Sequence, residues 1–544
     1  MMESNLKRSL IAAAFLPLLL LGREQAVRAD ETQSLEELRN TVINLLDGLV
    51  KKGVLTKEQA EAMVSDAQKK ASEQAKAQAE QEKAEQGAVR VPYIPEIVKD
   101  QIKEEVSQEL RADVTKDVVE QAHAQKWGVP GALPSWITNL NVHGDMRFRL
   151  EEDLFASDNA QGQYLNFAAV NSAGGIEKAG DNALLNTSMD ALRERVRLRL
   201  GFDEQVTDGV SVGLQFGYDN QSFAVSTNQT LGSYGQNYSM AVYQSYLRYD
   251  AKTDTKLPWM TLAGGRFTNP FYSTVLLWYP DLNFDGTYST WRLGLGGSGD
   301  TPQNVFFTVG AFPLQVVEFA SQDKWLYASQ LGLDLPWQDG GRARVAAAYY
   351  YFDHMTGVRN SVDSTLTNYS APVILQKGNT LFDISNNPTD PTVNLFALAA
   401  EYHELDLTAG LDIPAAGHKI SVTGDYVNNI GYNENDILLR TGQHVPKRGV
   451  GYLADLTFGS PKTGLKGTWM ASLSYRYLQR DAVVDAFADQ DFHLGGTDAK
   501  GYVLRADWWF RDRTSLSLRY YATDAIDGPP LGIDMIFVDF NASF

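Results

Sequence analysis

The sequence predicts an all-β transmembrane antiparallel β-barrel of about 16 strands, preceded by an α-helical, coiled-coil N-terminal region. Three observations predict this fold: an export signal at the N-terminus, a helical period as far as Lys126, and a period of two after Trp127. We therefore divide the chain into a signal peptide (1–29), a helical region (30–136) and a barrel (137–544).

The first 29 residues have the form of a secretory signal peptide. Two basic residues, Lys7 and Arg8, precede an apolar stretch from Leu10 to Leu21. Ala29 then supplies a small side chain at the cleavage site. The alternative is a retained membrane anchor, but a helix that spans a bilayer needs about 20 apolar residues and this stretch is shorter. We expect the mature chain to begin at Asp30.

Residues 34–126 carry apolar side chains at helical spacing. Leu35, Val42 and Leu49 are seven residues apart, as in the seam of a coiled coil, and two further helical stretches follow. Two interpretations remain open. The helices form a hairpin that packs on itself, or they associate with those of other copies to form a homo-oligomer.

From residue 137, apolar and polar side chains alternate, as they do in a strand with one apolar face. For example, Val196, Leu198 and Leu200 are expected to face lipid, and the arginines between them the lumen. Segments of about ten residues repeat this alternation, and this length suits a tilted strand in a bilayer. The chain stops on an aromatic residue, Phe544, as membrane barrels commonly do.

The length of this region sets the size of the barrel. Its 408 residues allow about 16 strands, at about 25 residues for each strand with its connection. A soluble β-sandwich also shows alternation, but its strands vary more in length. A gated transporter would need about 22 strands and a globular plug, which the charged helical region does not resemble.

Composition and motifs exclude several other classes of function. The chain has no cysteine, so it contains no disulfide, thiolate metal site or cysteine nucleophile. Residues 137–544 carry 30 Lys and Arg against 45 Asp and Glu, a net charge of −15 that argues against nucleic acid as a partner. Metalloprotease and phosphate-loop motifs are missing from the sequence. We therefore expect no catalytic residues, metal site or cofactor.

Six parts of the sequence, in this order, resemble the bacterial putative-porin family. They are LVKKGVLTKEQA (49–60), VHGDMRFRL (142–150), GRFTNPFYST running on to LNFDG (265–286), RDAVVDAF (480–487), DFHLGGTDAKGY (491–502) and DGPPLGID (527–534). The resemblance covers nearly the whole mature chain. It implies an outer-membrane barrel that passes small hydrophilic solutes or ions through a water-filled channel, with its N-terminal region in the periplasm. Its expected partners are therefore outer-membrane lipid and small solutes. The alternative is a structural tether, in which the helices link the barrel to the cell wall.

The polar face of the first strands supplies candidate pore-lining residues, which are Asp145, Arg147, Arg149, Arg193, Arg195, Arg197, Arg199 and Asp203. A row of arginines in a pore can select anions. The alternative is a wall network in which each arginine pairs with a carboxylate. Asp281 and Asp285 are candidate constriction-loop acids, expected on a loop that folds into the lumen and faces the arginines.

Overall fold

The computed structural model describes Ser65, Lys69 and residues 140–218, 225–252, 257–298, 301–318 and 322–544. The predicted signal peptide, the predicted boundary at residue 137 and most of the predicted helical region lie outside the described residues. Ser65 and Lys69 are both helical. The chain divides into two compact units, Met1–Thr115 and Lys116–Phe544, and the fold below belongs to the second. Among the described helices, none is long and apolar enough to cross a membrane.

Within the described residues, sixteen antiparallel strands form one closed barrel. All strands, in chain order, are β1 (Leu140–Phe155), β2 (Ala191–Thr207), β3 (Val210–Tyr218), β4 (Gln229–Thr230), β5 (Met240–Ala251), β6 (Met260–Thr268), β7 (Asn283–Ser298), β8 (Thr301–Gln315), β9 (Lys324–Pro336), β10 (Arg342–Asp353), β11 (Leu381–Asp383), β12 (Phe396–Leu398), β13 (His403–Ala415), β14 (His418–Asn429), β15 (Val450–Gly459), β16 (Trp469–Leu478), β17 (Ala499–Arg511), β18 (Thr514–Ala525) and β19 (Gly532–Ser543). The short β4 pairs with β2, and β11 pairs only with β12. The other strands form the barrel, which β1 closes by pairing with β19. The predicted closed barrel of about 16 strands is confirmed.

Short helices lie in the connections between strands. They are the α-helices α1 (Phe167–Ala173), α2 (Ile176–Ala179) and α3 (Glu434–Thr441), and the 3₁₀ turns Gly180–Ala183, Gln338–Gly340, Asn368–Ser370 and Asp485–Phe487. The first and last of the α-helices end on a glycine in the left-handed conformation, which lets the chain reverse direction without a Cβ clash.

Alternation along the strands assigns each side chain to one face of the wall. On β1, Phe148 is 38% exposed on the outer surface, whereas the adjacent Arg149 is completely buried inside the barrel. Arg147 lies opposite Arg197 on β2, so the two strands are in the register that places their arginines on the same face. Val196 differs from the expectation. It is buried at the point where β4 pairs with β2, rather than exposed to lipid.

Aromatic side chains on the outer surface gather near the strand ends. Tyr452 and Tyr477 stack with ring centroids 5.1 Å apart at one end of β15 and β16. Phe458 and Trp469 meet at 5.5 Å at the other end of the same two strands. Aromatic rings with polar tips favour the two interfaces of a bilayer, so these pairs mark the edges of the apolar band.

Connections at the two ends of the barrel differ in length. At one end they are short turns, such as 208–209 and 416–417. At the other end longer connections fold into the lumen, and we name three of them segment 269–282, segment 354–402 and segment 479–498.

The largest apolar core lies inside the barrel, between these segments and the wall. It includes Leu276 and Trp278 of segment 269–282, packed with Ala263, Ala328 and Ala348 of the inner wall. Small wall side chains leave room for the inserted chain, and the burial of apolar side chains stabilises it there. At the end with the longer connections, the lumen is therefore narrowed by packed protein.

Candidate pore lining and constriction

Two carboxylates bridge the same two arginines of β2. Arg197 Nη2 donates to Asp145 Oδ1 at 2.7 Å, and Arg199 Nε donates to Asp145 Oδ2 at 2.6 Å. Asp281, from segment 269–282, accepts from Arg197 Nη1 at 3.2 Å and from Arg199 Nη1 at 2.9 Å. The inserted segment is thus fixed to the wall by charge-assisted hydrogen bonds, which are stronger than neutral ones.

The next arginines along β2 pair with acids of β1. Arg195 Nη1 lies 3.0 Å from Glu151, and Arg193 Nη2 lies 2.7 Å from the same carboxylate. Arg193 also donates to Asp153. Both acids are almost completely buried, so their charges depend on these partners.

Arg149 has the most completely enclosed guanidinium of the set. Its Nε donates to Asp539 at 2.7 Å, and its Nη1 donates to Asp491 of segment 479–498 at 3.1 Å. The guanidinium also lies 4.3 Å from the centre of the Phe537 ring, at cation–π distance. Arg147 beside it donates to Asn541 at 2.9 Å and lies 3.6 Å from Asp539.

The structure therefore shows a paired wall network. Each of the six candidate arginines has at least one carboxylate within ion-pair distance. The partners are Asp145, Glu151, Asp153, Asp281, Asp491 and Asp539. The arginines of β1 and β2 therefore do not form a row of unneutralised guanidinium groups.

Two predicted site residues lie apart from the network. Asp203 accepts from the Tyr246 hydroxyl at 3.1 Å and lies 3.4 Å from His143, closer to the short-turn end. Asp285 lies on β7 and not on a loop, which corrects its assignment as a constriction-loop acid. It alternates with the inward Phe284, so its half-exposed side chain points outward and pairs with Arg266 at 2.6 Å.

Segment 479–498 contains five aspartates, and four of them are buried. Asp489 pairs with Arg476 at 3.0 Å, and Asp491 also accepts from the Tyr279 hydroxyl at 3.1 Å. Burial alone would raise the pKa of Asp491, but the nearby arginines outweigh it and hold that pKa below its usual range.

The other two buried aspartates of this segment, Asp481 and Asp485, are held by neutral donors. Asp481 accepts from the Thr380 backbone N–H at 2.8 Å, and Asp485 accepts from the Gln376 N–H, also at 2.8 Å. Burial raises the pKa of Asp485 to about 7. Both hydrogen bonds tie segment 479–498 to segment 354–402.

A model of the putative porin family matches residues 39–544 of the chain. The chain belongs to this family. It is an outer-membrane porin, a channel for passive diffusion of small hydrophilic solutes or ions. No curated protein matches the sequence of this chain significantly.

Several solved structures are similar to this chain at low sequence identity. A high-pH structure of Pseudomonas putida OprB is 11% identical, covers 75% of this chain and 95% of its own, and gives a TM-score of 0.42. Acinetobacter baumannii DcaP, an outer-membrane channel, is 13% identical over 74% of this chain and 97% of its own, with a TM-score of 0.37. Salmonella typhi OmpF in complex with daunomycin is 11% identical over 74% and 97%, with a TM-score of 0.38.

Proposed function

We propose that solutes cross this porin past a constriction formed by segment 269–282 and the arginine wall of β1 and β2. The proposal rests on the contacts of Asp281. This residue of the inserted segment accepts hydrogen bonds from Arg197 and Arg199 on the wall. A charged segment held across part of a lumen sets both its width and its local potential.

The charges at this constriction are balanced. Arg197 and Arg199 contribute two positive charges, and Asp145 and Asp281 contribute two negative ones. Opposite charges a few ångströms apart largely cancel at longer range, and salt screens what remains. We expect weak ion selectivity, with at most a mild preference for anions.

Planar-bilayer recordings of the purified porin test the constriction. Asp281→Asn removes one negative charge, so the reversal potential under a salt gradient should move toward anion selectivity. Asp285→Asn is the matched control, since it removes the same charge from the outer face of the adjacent strand. An equal shift in both variants would show that total charge, and not the constriction, sets selectivity.

We further propose that residues 1–29 are removed on export and that residues 30–136 form periplasmic helices, either a hairpin or a homo-oligomeric bundle. The entry of β1 supports this placement, because Leu140 lies at the barrel end with short turns. Short turns face the periplasm in outer-membrane barrels. Protease added to the periplasmic side should remove these helices while the barrel stays intact. A barrel without measurable conductance, held to the cell wall through its helices, would favour the tether alternative.

A further inference from the structure

We propose that this porin has a subsite for small organic carboxylates on the inner face of β5–β10. The subsite consists of Arg248, Arg292, Arg342 and Arg344, which we call the arginine arc. The inference rests on the proposed passage of solutes through the lumen. It concerns a different part of the wall from the paired row on β1 and β2.

The arc has more guanidinium groups than carboxylates. Arg248 pairs with Asp250 at 2.8 Å, which leaves no excess charge on that strand. Arg342 and Arg344 share a single acid, Asp334, with Arg344 Nη2 at 3.0 Å from its carboxylate. The group of Arg342, Arg344 and Asp334 therefore has one uncompensated positive charge.

Arg292 supplies a second excess charge. Its Nη1 donates to the Thr261 hydroxyl at 3.0 Å and to the Pro258 carbonyl at 3.3 Å, and no described carboxylate forms an ion pair with it. Both acceptors are neutral groups, one on β6 and one in the turn before it. Arg248, Asp250 and Asp334 all lie within electrostatic range of Arg292, so Arg292 belongs to the arc and is not an isolated residue.

The arc faces the lumen and remains accessible. Arg292 is flanked by Trp291 and Leu293, which are exposed on the outer surface, so alternation places Arg292 on the inner face. It is itself only partly buried. At the far side of the arc, the Arg344 guanidinium lies 4.7 Å from the centre of the Tyr272 ring of segment 269–282. The arc thus borders the inserted segment that narrows the lumen.

The chemistry of the arc selects the ligand class. A guanidinium is a planar fork that binds both oxygens of a carboxylate, and the two uncompensated charges suit an anion of matching charge. Tyr288, on the same face of β7 as Arg292, adds an aromatic side chain that can contact the carbon skeleton of the anion. A dicarboxylate such as succinate therefore provides a suitable probe.

Succinate block of the current carried by potassium chloride in planar bilayers tests the subsite. Arg292→Gln should raise the half-blocking concentration about tenfold, the loss expected for one charge-assisted hydrogen bond. Arg505→Gln is the matched control. Arg505 also faces the lumen and is 39% exposed, but it is paired with Asp507 at 2.6 Å on β17. This control should change the half-blocking concentration by no more than about twofold.

A variant of opposite sign strengthens the test. Asp334→Asn frees Arg342 and Arg344, so the half-blocking concentration should fall below that of the unmodified porin. Equal effects of Arg292→Gln and Arg505→Gln, or no block of the unmodified porin by succinate, would overturn the subsite and leave the porin function standing. A folded, heat-modifiable barrel without conductance would instead contradict the proposed function. If Arg292→Gln does not fold, Asp334→Asn decides the question alone.

Discussion

At the scale of single residues, the buried arginines are held by structure and not by solvent. Arg149 has no exposed surface, and its guanidinium is surrounded by Asp539, Asp491 and the Phe537 ring. Taking a charge out of water costs several kcal/mol unless partners replace the lost hydration. These arginines therefore position the wall and segment 479–498 relative to each other, whereas solvent-exposed arginines of the lumen remain available to solutes.

Replacing Arg149 by Met should destabilise the barrel by about 3 kcal/mol, because two buried carboxylates lose their closest cation. The denaturant midpoint in detergent micelles measures this loss. Arg266→Met is the control, and it should cost no more than about 1 kcal/mol because both groups of its ion pair with Asp285 are partly exposed. Similar midpoints for the two variants would mean that the Arg149 network adds nothing to stability.

Single cysteines can test the facing of β2 directly, since the natural chain has none. A membrane-impermeant maleimide should react with Arg199→Cys, whose position faces the lumen, and not with Leu198→Cys, whose position faces lipid. Labelling is read as a mass shift of the intact protein in detergent-free vesicles. The reverse pattern would mean that the strand is shifted by one residue.

At the scale of elements, the strands were predictable and the inserted segments were not. A period of two identifies a strand with one apolar face, and it predicted that the arginines of β1 and β2 share the inner face. It does not say what fills the lumen. Small inward residues such as Ala263, Ala328 and Ala348 break the expected polar inner face because inserted chain covers them. Long-range packing of this kind leaves no periodic signal in one strand.

Segment 479–498 should respond to pH through Asp485. Burial raises the pKa of this carboxyl to about 7, whereas a released segment would have an ordinary value near 4. Packing is therefore most favourable at low pH and weakens as pH rises through about 7. Amide hydrogen exchange in this segment should be faster at pH 8 than at pH 6, beyond the intrinsic effect of pH on exchange.

Two variants isolate this effect of pH. Asp485→Asn keeps a neutral side chain at all pH values, so the difference in exchange between pH 6 and pH 8 should disappear. Asp512→Asn, in an exposed turn at the other end of the barrel, should leave the difference unchanged. A difference that persists in Asp485→Asn would assign the titration to another group.

At the scale of the whole molecule, the fold class followed from chain length, strand length and period, while the site followed only in part. The arginines of β1 and β2 stand out in the sequence, but their neutralisation depends on Asp281, Asp491 and Asp539, which lie far away in the chain. Asp285 was wrongly assigned to a loop. The sequence before it resembles a turn, but β7 already begins at Asn283. Partners that only the closed barrel brings together cannot be read from local spacing.

Removing residues 30–136 while keeping the signal peptide should leave a barrel that still folds and inserts. Closure is made by strands within residues 140–544: β1 pairs with β19, and Gly144 and Phe544 exchange two backbone hydrogen bonds at 3.2 and 3.0 Å. These contacts remain in the truncated chain, so a heat-modifiable band and a conductance close to that of the full-length porin are expected. Sedimentation in detergent then separates the two interpretations of the helices, since a bundle predicts loss of oligomers on truncation and a hairpin predicts no change. A truncated chain that fails to insert would show that helices and barrel fold as one unit.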